Sequence, residues 1–275
     1  MTSNVALIVS FTNVKYNAER FPHYVFSGGP LAKFTGKVAL VTGGSRGIGA
    51  AIAKRLAREG ANVVFTYPNG DDGPDQTLSA IAGEGGHARA LEADSSDPEA
   101  VRAAVAQSAG HGRLDILVNN AGIIVVSPIE RFGLADFDRI VAVNIRAVFV
   151  ASQEAARRMG EGGRIITIGS CNAERMPFMG GCVYAMSKAA IVGLTRGMAR
   201  DLGSRGITVN NVQPGPTNTD LNPVDGPHAA ATFPLLAVPR FAQPEEIAGF
   251  VSYLAGPEAA FVTGASLTID GGYAA

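Results

Sequence analysis

Short apolar runs alternate with helical patterns along the whole chain, and this alternation restricts the fold more than any other property. The runs fall near residues 37–42, 61–66, 87–92, 114–119, 164–169, 206–212 and 266–269. Between them, apolar residues recur at helical spacing near 46–59, 73–84, 97–110, 135–160, 183–203 and 243–255. Strands separated by helices pair in parallel, because only a crossover returns the chain to the starting edge. The pattern therefore predicts an α/β fold: a doubly wound, parallel, seven-stranded sheet with helices on both faces. Right-handed crossovers bring every strand's carboxyl end to one edge, where Thr42, Asn119, Ser170 and Gln213 should meet. A chain of 275 residues that is 47% apolar and 17% charged can fill the core of such a sheet. Its formal net charge of −1 gives no field to attract nucleic acid or an anionic membrane. No repeat or linker divides residues 34–275, which are read as one domain.

The sheet edge carries four motifs. Thr42-Gly43-Gly44-Ser45-Arg46-Gly47-Ile48-Gly49 follows the apolar run Val38–Val41 and opens a helical pattern in which Ile52 and Leu56 share a stripe. Strand, glycine turn and helix together make a phosphate cradle, since the helix end offers free N–H groups and a positive dipole. The spacing Gly-x-x-x-Gly-x-Gly differs from the usual Gly-x-Gly-x-x-Gly, and a ligand-free turn is the competing reading. Asn119-Asn120-Ala121-Gly122 and Ser170 end two further runs, and each alone reads as a turn or cap. Tyr184 and Lys188 lie four residues apart, on one face of a helix. A neighbouring ammonium is expected to lower the phenol pKa, so that Tyr184 exchanges a proton with a carbonyl or an alcohol.

Occurring in this order, these residues resemble the classical short-chain dehydrogenase/reductase family over residues 34 to 275. The resemblance implies a Rossmann fold and a nicotinamide cofactor. By it, Gly43, Ser45, Arg46, Gly47, Ile48, Gly49, Asn120, Ala121 and Gly122 line the dinucleotide, and Asp94, with Ser95 beside it, accepts from the adenine amino group. Asp94 has a competing reading as the cap of the helix near Asp97. Ser170 would orient a substrate carbonyl, Tyr184 would donate the proton, and Lys188 would bind the nicotinamide ribose. Asn144 would hold a water linking Lys188 to solvent, its plain reading being a mid-helix asparagine. Pro214, Gly215, Thr217 and Thr219 match the segment that closes over the carboxamide and diphosphate. The Ser170–Tyr184 separation of fourteen is one longer than usual, and Gly180-Gly181 is where the extra residue is expected to be absorbed. Through Gly169–Pro177, Gln213–Pro216, Asn222-Pro223 and Phe261–Ala265, the carboxyl half is similar to one branch, the cyclic-di-GMP-binding biofilm dispersal mediators.

Cofactor choice turns on the end of the second strand, where an acid would accept the ribose 2′-hydroxyl of NAD and repel a 2′-phosphate. Tyr67 stands there, and Arg46 is near enough to meet a phosphate. Both favour NADP(H) over NAD(H), although Asp71 and Asp72 weigh the other way. The expected pocket residues, Cys171, Asn172, Pro216 and the 220–236 loop, are mostly small or apolar. Arg175 either meets a substrate anion or is solvated. The expected function is reduction of a ketone, aldehyde or 3-oxoacyl carbonyl, with a nucleotide-binding regulatory protein for cyclic di-GMP as the alternative. The proline-rich segment 216–240 reads as a lid or as an ordered excursion. Cys171 and Cys182 are expected as free thiols in a cytoplasmic protein, and with four histidines they show no metal-ligand spacing. Small and apolar residues at 189–194 and 261–269 predict a homotetramer or dimer. Residues 1–33 are read as an amino-terminal extension with no signal peptide and no span. A disordered tail, a stretch ahead of the true start and an extra strand all remain compatible with it.

Overall fold

The computed structural model describes residues 33–110 and 112–275. Seven strands form one parallel sheet: β1 (Val38–Val41), β2 (Asn62–Tyr67), β3 (His87–Glu92), β4 (Ile116–Asn119), β5 (Arg164–Ile168), β6 (Thr208–Pro214) and β7 (Ser266–Ile269). Their order is β3-β2-β1-β4-β5-β6-β7, so the chain reverses direction across the sheet between β1 and β4. Such a reversal opens a crevice at the strand ends. The helices are α1 (Gly47–Arg58), α2 (Pro74–Gly83), α3 (Pro98–Ala109), α4 (Leu134–Val141), α5 (Ala147–Arg158), α6 (Cys182–Leu202), α7 (Ala229–Thr232) and α8 (Pro244–Ala255).

The alternation of side chains along each strand explains the two cores. Ala39 and Val41 of β1, Val63 and Phe65 of β2, Ile116 and Val118 of β4, and Ile166 and Ile168 of β5 face α1 and α8. Leu40, Val64, Leu117 and Ile165 point to the other face, against α3, α5 and α6. Helices on both faces remove water from both sides, which is why these runs read as continuously apolar. The doubly wound sheet expected from the sequence is present, with each strand within two residues of its predicted ends.

One helix differs from the expectation, and the structure bears on two further readings. The helix predicted over 135–160 is α4 and α5 joined by a π-helical turn at Ala142–Arg146. The segment 216–240 is an ordered excursion over much of its length. It carries α7 and a 3₁₀ turn at Phe233–Leu235, and it buries Ala229 and Leu236 with Cys171, Phe241 and Tyr273 in a small separate cluster. Arg175 stays exposed and donates to the carbonyl oxygens of Tyr273 at 2.8 Å and Ala275 at 3.3 Å. The readings of residues 1–32 lie outside the described residues. Lys33, the last residue of the expected extension, donates to Ser252 O at 2.9 Å and pairs with Glu258. Among the described residues no helix is long and apolar enough to cross a membrane, and no group of acidic, histidine or cysteine side chains is placed to hold a metal ion.

Candidate active site

The glycine segment forms a tight turn between β1 and α1 that is locked to the Asn119–Gly122 segment. Thr42 Oγ1 accepts from the amides of Asn120 at 3.0 Å and Ala121 at 3.1 Å. Asn120 Nδ2 donates back to Thr42 O at 3.0 Å and Gly43 O at 2.8 Å. On the other side Gly44 N donates to Thr66 O at 2.9 Å. Gly49 has no room for a side chain, because a Cβ there would run into Gly43 O and lie 2.5 Å from Asn120 Nδ2. This close approach seats α1 directly on the turn. Arg46 at its N-cap supplies no side-chain cap, and the first turn holds no acidic residue. The first amides of α1 and its positive dipole end are therefore available to an anion.

The other cofactor candidates lie along the same edge. Thr219 Cγ2 approaches the Cβ position of Gly47 to 3.4 Å, which brings the segment after β6 over the glycine turn. Thr217 Oγ1 donates to Gly215 O at 3.0 Å, and Pro214 ends β6. Ser95 shares a small cavity with Thr42, Ala121 and Val143. Tyr67 ends β2, and its carbonyl accepts from Ala93 N at 2.9 Å, next to Asp94. Asp94 is not the cap of α3. That role belongs to Asp97, whose carboxylate accepts from Glu99 N at 2.8 Å, while Asp94 accepts from the amide and hydroxyl of Ser96.

The reactive side chains gather where β4, β5 and α6 meet. Ser170 follows β5 and caps the 3₁₀ turn Cys171–Ala173, its Oγ accepting from Asn172 N at 3.1 Å. The plain reading of this serine as a cap thus holds, and its side chain is near enough to Tyr184 to draw the phenol pKa down. Between them Gly180 takes a φ of +86° that only glycine adopts without strain, and its carbonyl accepts from Ser127 N at 3.0 Å. Lys188 is buried on α6 and donates to Ile168 O at 2.9 Å. Gly122 faces it, with Lys188 Nζ and Asn144 Oδ1 each 3.5 Å from its Cβ position.

Asn144 sits in the π turn, a deformation common at functional sites. It accepts from Ile123 N at 2.9 Å and donates to Ile123 O at 2.9 Å and Ser187 Oγ at 3.0 Å. Ser187 in turn donates to Tyr184 O at 2.7 Å. Sequence reasoning missed the supporting roles of Thr42 and Ser187. The position of Ser187, three residues after Tyr184, was the available signal.

The electrostatics correct one expectation. Burial, Ser170 and Cys171, rather than Lys188, set the direction of the Tyr184 pKa shift. Loss of solvent pushes the phenol up, Ser170 draws it partly back, and Cys171 adds to the rise. Lys188 lies 5.7 Å from the centre of the tyrosine ring and is itself pushed down by burial to about 8. Burial acts on both groups in the same sense, favouring the neutral form of each. Cys171 is buried with its thiol pushed up to about 12, and Cys182 is exposed; both are free.

Comparison with known proteins agrees with this geometry. A family profile described as "Enoyl-(Acyl carrier protein) reductase" matches residues 43–274. The cyclic-di-GMP-binding biofilm dispersal mediator protein of Escherichia coli K12 is 52% identical over 245 residues, covering 89% of this chain and 100% of that protein. A short-chain dehydrogenase/reductase from Serratia marcescens is 60% identical, with a TM-score of 0.86 over 88% of this chain and 100% of that one. A short-chain dehydrogenase from Burkholderia cenocepacia, solved in complex with NADP, is 52% identical with a TM-score of 0.86 over the same shares. With its parallel sheet, its glycine turn and the Ser170, Tyr184 and Lys188 cluster, this chain belongs to the short-chain dehydrogenase/reductase family of oxidoreductases.

Proposed function

We propose that this protein is an NADP(H)-dependent carbonyl reductase that converts a ketone, aldehyde or 3-oxoacyl carbonyl to the alcohol. The observation that carries the reading is the convergence of Ser170, Tyr184 and Lys188 beside the Thr42–Gly49 turn. A dinucleotide fits the uncapped, acid-free start of α1 and the close approach at Gly49, and the Burkholderia cenocepacia relative was solved with NADP. In this reading Gly43, Ser45, Gly47, Ile48 and Gly49 hold the diphosphate, and Arg46 meets the 2′-phosphate beside Tyr67. Asp94 and Ser95 flank the adenine, Asn120, Ala121 and Gly122 line the crevice, and Pro214, Gly215, Thr217 and Thr219 cover it.

The nicotinamide, when bound, supplies the hydride. Ser170 orients the carbonyl oxygen through its hydroxyl. Tyr184 delivers its proton to that oxygen, and the raised phenol pKa keeps the proton in place at neutral pH. Lys188 and Asn144, both beside Gly122, hold the ribose and the route by which the proton is replaced.

The apolar pocket residues and the tied-off Arg175 support a neutral substrate. Exposed Phe261, Tyr253 and Phe149, with the small exposed residues Ala189, Ala190 and Gly193 of α6, support a homotetramer or dimer. Light scattering at micromolar concentration tests this, and the mass of one chain would overturn it. The free thiols suit a cytoplasmic location.

The deciding experiment follows NADPH oxidation over a panel of neutral ketones, aldehydes and 3-oxoacyl thioesters. Turnover of at least one class is expected. NADPH binding without any turnover, together with cyclic di-GMP binding, would favour the regulatory reading suggested by the name of the Escherichia coli relative.

A further inference from the structure

The π turn that carries Asn144 also touches the far end of the crevice, where the segment between β3 and α3 runs. Asn144 and Arg146 stand two positions apart in this turn, so their side chains leave it on nearly opposite sides. Asn144 is bonded to Ile123 and Ser187, next to the reactive cluster. Arg146 reaches the other way, and its Nη2 donates to Ser96 O at 3.0 Å across 50 positions of sequence. Ser96 closes an Asx turn on Asp94, its amide donating to Asp94 Oδ1 at 2.7 Å and its hydroxyl to Asp94 Oδ2 at 2.8 Å. Ser95, between them, shares a small cavity with Val143 and Ala147, so the segment lies against the start of α5 as well. Ala93 N donates to Tyr67 O and fixes the beginning of the segment to β2. The Asp94–Ser96 stretch is thus held by the sheet at its start and by Arg146 at its end.

We propose that Arg146 is a positioning residue for the cofactor: it fixes the Asp94–Ser96 stretch in the shape that receives the adenine amino group. This rests on the reading that Asp94 and Ser95 flank the adenine. Asp94 is exposed, and each of its oxygens takes one bond from Ser96, which leaves lone pairs for a further donor. A stretch free to move would have to be ordered when the dinucleotide binds, and that cost subtracts from affinity. Arg146 orders it beforehand. Its long side chain spans the gap between the two segments while staying exposed, so the tie is made without burying a charge. Arg46 is assigned to the 2′-phosphate, whereas Arg146 acts on the base, which NADP and NAD share. Arg146 therefore raises affinity for both and leaves their ratio unchanged.

The test is titration of wild type, Arg146→Met and Arg146→Lys with NADPH, NADH and the hypoxanthine analogue of NADPH, followed by the fluorescence of the reduced nicotinamide. The analogue carries an oxygen where adenine has its amino group, and so offers Asp94 no donor at that position. Thermal unfolding without cofactor verifies that each variant is folded. Arg146→Met should weaken NADPH and NADH alike, by about fivefold, close to the net worth of one hydrogen bond. The analogue should change by less than about twofold, because the positioned acceptor has nothing to receive. Arg146→Lys keeps a charged donor and should hold NADPH within about twofold of wild type. Unchanged NADPH affinity in Arg146→Met would overturn the inference and leave the reductase reading intact. So would equal weakening of the analogue, the mark of a general structural role, or weakening of NADPH alone, the mark of a charge acting on the phosphate. Failure of wild type to bind either reduced cofactor would remove the reductase reading and this inference with it.

Discussion

Lysine 188 gives the most direct measure of how far burial has been accepted at this site. It is 7% exposed, and its Nζ donates to Ile168 O at 2.9 Å. Burial alone lowers its pKa from 10.5 to about 8. The folded pKa lies below the unfolded one, so between these values the unfolded chain binds more protons. Stability contributed by this position is therefore lowest below pH 8 and recovers as pH rises towards 10.5. At about 1.4 kcal/mol per pH unit, the penalty at pH 7 is about 3 kcal/mol. Lys188→Met keeps the length of the side chain and removes the charge. Urea unfolding of both cofactor-free proteins, at one protein concentration and across pH 7 to 10.5, isolates the effect, because every other titrating group cancels in the difference. Wild type should gain about 3 kcal/mol on the variant over that range. The loss of the hydrogen bond to Ile168 O offsets the difference by a constant and does not change its slope. A difference that stays flat with pH would refute the argument, showing that Lys188 is solvated or paired in the folded state.

Three further outcomes test the site. Tyr184→Phe should reduce turnover by about 10²-fold or more while NADPH binding stays nearly intact, since only the proton donor is lost; steady-state rates beside cofactor titration decide it. Arg46→Ala should weaken NADPH by about 1.5–3 kcal/mol and NADH far less, as expected for a bond to a charged group that only one of them carries. Equal weakening would shift attention to Tyr67 and to Asn69, whose amide donates to Glu92 at 2.9 Å. Gly49→Ala should lower the melting temperature and abolish binding of both cofactors, because the added methyl meets Gly43 O and Asn120 Nδ2 in a turn locked by four hydrogen bonds.

What the sequence determined by itself was what repeats locally. Short apolar runs between helical patterns placed all seven strands, and the strand–glycine–helix context placed the glycine turn, since each depends on residues a few positions apart. Ordered motifs also located Ser170, Tyr184 and Lys188, because right-handed crossovers bring every strand end to one edge whatever the loops do. The π turn at Ala142–Arg146 was not legible, as a single widened turn leaves the apolar pattern of a helix almost unchanged. The partners of Asp71, Arg175 and Asn144 were not legible either. Ser45 and Asp71 are separated by 26 positions, and Arg175 and Tyr273 by 98, so only packing brings them within hydrogen-bond reach. The direction of the Tyr184 shift was decided in the same way. Spacing puts a lysine one turn from the phenol, but the charge that lysine carries depends on how much water remains around it, and the tertiary structure removes that water from both groups.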